Sequence, residues 1–95
     1  MMEFNFEDEG AVLAVRTVVG EDTSERAAKR ALDYLLEADI NNTKALVELP
    51  LDTVVGMIDT AMRANTISAG AGQLIKKLRH KLSPREAIAC CAAAV

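Results

Sequence analysis

Aromatic side chains are nearly absent: Phe4, Phe6 and Tyr34 make up 3% of the 95 residues, and there is no tryptophan. Aromatic rings supply the largest apolar area per residue, so the core has to be assembled from Ala, Val, Leu, Ile and Met. Such a core is thin, and burial across a subunit contact would supplement it; the composition therefore points to a twofold homodimer, the commonest oligomer, with a monomer of ordinary marginal stability as the alternative. Histidine occurs once, as His80, and cysteine only as the adjacent pair Cys90-Cys91. Neighbouring cysteines fit disulfide geometry poorly, and a metal site takes three or four ligands. The pair reads as two small apolar side chains of an Ala-rich helix in a reducing compartment, and no metal or other cofactor is expected. No apolar run approaches the roughly 18–20 residues of a membrane span. The first nine residues are acidic and lack the basic and apolar regions of a secretory signal. The expectation is a cytoplasmic protein with no membrane partner.

Proline occurs twice and glycine five times, while 51% of residues are apolar and 26% charged. That is the composition of a folding chain rather than a disordered or fibrous one. The length allows one domain, 1–95.

The net charge of −3 is unevenly spread. Residues 1–25 carry −6, residues 26–63 carry −1, and residues 64–95 carry +4. Overall acidity argues against a protein built to coat nucleic acid, yet the last third is basic.

Helical spacing runs through most of the chain. Residues 1–7 read as a short extended arm with Phe4 and Phe6 on one face. Ala11, Val12, Val15, Val18 and Val19 follow at helical spacing, with Asp8 as cap and Gly20 as terminator; the valines also admit a hairpin of 2–7 with 11–19 around Asp8-Glu9-Gly10. Asp22 and Glu25 form a capping-box pattern before a helix over 23–38, whose stripe is Ala28, Leu32, Leu35 and Leu36. Asn41-Asn42 breaks it. Residues 43–49 suggest a short helix stopped by Pro50, which then opens a helix with Asp52 in its first turn and a stripe of Leu51, Val54, Val55, Ile58 and Met62. Gly56 interrupts that helix, either for a close crossing or merely tolerated. Ser68 caps a helix carrying Leu74, Ile75, Leu78 and Leu82, and Ser83-Pro84-Arg85-Glu86 announces a last one. The expected fold is all-α: a small single-domain bundle or irregular array of four to six helices with a short extended N-terminal arm.

Groups for chemistry are sparse. His80 lies between Arg79 and Lys81 with no carboxylate nearby in sequence, so it lacks the partner a catalytic base needs. Glu7-Asp8-Glu9 lacks the spacing of a calcium loop. Gly70-Ala71-Gly72 lacks the strand and the Lys-Ser/Thr of a phosphate loop. The basic stretch 73–82 carries more weight. Lys76, Lys77, Arg79, His80 and Lys81 are expected on the face opposite Leu74, Ile75, Leu78 and Leu82. The tail 87–95 is apolar on every side and reads as buried within the chain or in an interface.

These features point to a non-enzymatic helical interaction module, a regulator, adaptor or inhibitor of bacterial or phage type, that docks on a partner protein. The partner-binding residues expected are Lys76, Lys77, Arg79, Lys81, Arg85 and Ile88. The alternative is a small DNA-binding regulator that uses the basic helix 73–82 on phosphates.

Overall fold

Local signals at the helix ends set the architecture. The computed structural model describes residues 3–82, in which five helices succeed one another: α1 (Ala11–Val19), α2 (Glu25–Glu37), α3 (Thr43–Glu48), α4 (Leu51–Arg63) and α5 (Ala69–Leu82). No strand occurs among the described residues, and the class is all-α. The helix expected from Ser83-Pro84 lies outside the described residues, as do Arg85, Ile88 and Cys90-Cys91.

Residues 11–19 form a helix and not the second strand of a hairpin. Ala11, Val15 and Val19, four residues apart, are buried along one stripe, and that tertiary burial overrides the β-preference of valine. Asp8 does not cap this helix with its side chain; only its backbone carbonyl accepts from the amide of Ala11. Gly20 terminates the helix as expected, at φ 135°. A Cβ there would lie 2.8 Å from Asp22 Oδ1, so the turn both strains and crowds any other residue. Arg16, in the last turn, donates to the carbonyls of Glu21 and Thr23 and holds the turn in place.

The cap of α2 is Ser24 rather than Asp22: its hydroxyl accepts from the amide of Ala27. Asp22 instead belongs to the turn that Gly20 and Arg16 shape, two residues too early to reach the first helical amides. Helix α2 then ends before Asn41-Asn42. The amide of Asp39 donates to Leu36 and that of Ile40 to Leu35, with Asp39 at φ 62°. This paired closure satisfies the last carbonyls of the helix and folds the buried Ile40 back over it. Helix α4 closes in the same way, with Asn65 at φ 58° and the amides of Asn65 and Thr66 on the carbonyls of Met62 and Ala61.

Asn42 has a second use. Its side chain caps α3 by accepting from the amide of Ala45, and its backbone pairs with the N-terminal arm. The amide of Phe6 donates to Asn41, that of Thr43 donates to Phe4, and the Phe4 amide reaches the buried Thr43 hydroxyl. The expected extended arm is thus tied to the start of α3. It delivers Phe6 to the core, with Phe4 edge-on at a centroid distance of 5.6 Å. Pro50 separates α3 from α4 and takes the N-cap position of α4.

Helix α5 packs against α1, α2, α3 and α4 and forms the axis of the fold. Its Ser68 hydroxyl caps it by accepting from Ala71. The close crossing with α4 is made at Gly72, not at Gly56. A Cβ on Gly72 would lie 2.5 Å from Met62 Sδ and 3.1 Å from Ile58 Cγ2. Gly56 meets nothing within 4 Å.

Candidate interaction surface

The residues expected to bind a partner fall into three environments. The inward arc of α5 is wider than its Leu and Ile stripe: Ala71, Gly72, Leu74, Ile75, Leu78, Arg79 and Leu82 are all buried. Positions 72 and 79 are two turns apart, and 75 and 79 are one turn apart, so Arg79 falls on this arc. It is 0% exposed. The expectation that Arg79 faces a partner is therefore corrected.

The physical reason lies at the end of α3. Carbonyls at a helix C-terminus have no partner within the helix, and Pro50 has no amide with which to supply one. Arg79 Nη2 donates to the carbonyls of Val47 at 3.1 Å and Leu49 at 2.9 Å. A guanidinium there satisfies two oxygens at once and places positive charge at the negative end of the helix. Arg79 is the clasp that fixes α5 to the α3–α4 junction.

Lys76 is half-buried and bound to Asp59 of α4 at 2.6 Å. It ties α5 to α4 and is not a free cation. Lys77, His80 and Lys81 are exposed, and Gln73 continues their edge one turn earlier. Among the described residues, neither Lys77 nor Lys81 has a carboxylate within ion-pair distance. The expected basic face is therefore reduced to an outer ridge, Lys77-His80-Lys81, on the last turns of α5. Arg85 and Ile88 lie outside the described residues.

A second surface feature lies on α4. An open groove of about 640 Å³ runs along the side of α4 that turns away from α5. Gly56, Met57, Thr60, Ala61 and Ala64 line it, and Tyr34 of α2 forms its wall. These residues repeat every three or four positions, a pattern visible in the sequence only once the Leu51-to-Met62 stripe is known to be occupied by α5. Among the described residues, no three His, Cys, Asp or Glu side chains converge to hold a metal ion, and no helix is long and apolar enough to cross a membrane.

No family model, no curated protein and no solved structure matches the chain.

Proposed function

We propose that the chain acts by docking on a partner protein with an acidic surface, through the outer ridge of α5. The observation that carries this reading is the exposure of Lys77, His80 and Lys81, without ion-pair partners among the described residues, on a helix held from behind by four others. A rigid helix presents charges in a fixed arrangement, which lowers the ordering cost of association. Complementary charge steers encounter and sets register.

The burial of Arg79 favours protein over duplex DNA. Arginine is the side chain best suited to the edge of guanine, and here its fork is engaged with Val47 and Leu49. The remaining lysines act as point charges, and the chain as a whole is acidic.

The test is capture from nuclease-treated extract of the native host, using the wild-type chain and the Lys77→Glu/Lys81→Glu variant side by side. The protein retained is then purified and titrated directly against both. An acidic protein that binds the wild type and is lost from an equally helical double variant is the expected result. Equal binding by both chains would overturn the reading. So would a duplex-DNA gel shift that the double variant abolishes while no protein binds.

A further inference from the structure

We infer that the groove along α4 is a self-association face, which receives α4 of a second copy of this chain in antiparallel orientation about a twofold axis. Glycine weakens a helix interior such as position 56 of α4, and nothing among the described residues calls for it, since a Cβ at Gly56 would meet none of their atoms within 4 Å. Its exposed position, in the groove beside Met57, suits the close approach of another backbone.

The order of groove residues is self-complementary. An antiparallel partner centred between positions 58 and 59 sets Thr53 of one copy against Ala64 of the other and Met57 against Thr60, with Gly56 beside a groove floor formed by Ala61, which is buried in its own fold. All six positions line the groove. Each contact joins a larger side chain to a smaller one, as interdigitated helix packing requires. The match recurs on both sides of the axis, which is what a twofold interface demands.

Charge places the ends. Helix α4 has Asp52 in its first turn and Arg63 in its last. These two are eleven residues apart, about three turns, and so share one flank of the helix. A twofold axis perpendicular to the helices keeps that flank on the same side in both copies. Asp52 of each copy then faces Arg63 of the other, and the helix dipoles run antiparallel. A parallel twofold pair would put these flanks on opposite sides and leave the charges unpaired.

Sedimentation velocity on the full chain, from micromolar to millimolar concentration, tests the inference. A concentration-dependent monomer–dimer equilibrium is expected. Thr60→Glu, exposed and next to the axis, is expected to weaken it by about tenfold or more with unchanged helicity. Asp52→Lys and Arg63→Glu should each weaken the dimer, and the Asp52→Lys/Arg63→Glu double variant should recover it, since the swap restores opposite charges at both ends. A chain that stays monomeric throughout would overturn the inference. So would a dimer indifferent to Thr60→Glu, or one that the double swap fails to restore. The lysines of α5 lie on another helix, so Lys77→Glu/Lys81→Glu should leave the dimer intact; loss of partner binding and loss of self-association are thereby separate results.

Discussion

Replacing Arg79 by alanine is the sharpest perturbation of the fold. The side chain is fully buried and donates to the carbonyls of Val47 and Leu49. Hydrogen bonds from a charged donor contribute about 1.5–3 kcal/mol each, so these two amount to roughly 3 kcal/mol at the low end. Truncation at Cβ also removes two buried methylenes, at about 0.8 kcal/mol each. Relief from holding a guanidinium out of water acts in the opposite direction. The net loss expected is about 3 kcal/mol, a large part of the total for a domain of this size. It should lower the thermal midpoint by roughly 12–24 °C. Arg79→Met separates the contributions, since it keeps the stem and loses only the donors; it should cost about 2 kcal/mol. Urea denaturation followed by far-ultraviolet circular dichroism measures both. A wild-type midpoint for Arg79→Ala, with an unchanged m-value, would refute the clasp and return Arg79 to the surface.

Three further outcomes follow from the geometry. Gly56→Ala and Gly72→Ala carry the same propensity gain of about 1 kcal/mol; the monomer should gain it at the open Gly56, whereas at Gly72 the contacts with Met62 and Ile58 should cancel or reverse it, and denaturation at concentrations where the chain is monomeric compares them. Ser24→Ala should cost about 1 kcal/mol and Asp22→Ala much less, because only Ser24 caps α2; equal losses would contradict that assignment. Asp39→Gly should raise stability by up to about 1 kcal/mol, because Asp39 holds φ 62°; a lowered melting temperature would show that its side chain has an unrecognised role.

What could be read in the sequence was what the chain encodes over a few residues. Gly20, Pro50 and Ser68 act where they stand, through a required φ, a missing amide and a short hydroxyl reach, and each marks a helix boundary in the structure. The capping pattern at Asp22 misled by two residues because the turn before α2 is shaped by Arg16, a residue of the preceding helix. The breaker expected at Asn41-Asn42 was displaced to Asp39, since helix closure depends on where Ile40 finds the core. Arg79 was misplaced for a related reason. Its charge suggests solvent, and only the junction of α3 with Pro50, some thirty residues earlier, supplies the carbonyls that draw it inside. The groove on α4 is illegible in the sequence because only the packing of α5 decides which side of the helix stays open. Periodicity alone puts the ridge residues Lys77 and Lys81 on the surface, and the structure exposes both.

The claim that the chain works by docking through the outer edge of α5 is tested most directly by the dissociation constant of the purified partner complex, measured for the wild type and for Lys77→Glu/Lys81→Glu at low and at physiological salt. Binding is expected to weaken as salt screens the ridge and to fall by a further factor of about ten or more on charge reversal. Equal constants for the two chains, unchanged by salt, would contradict it.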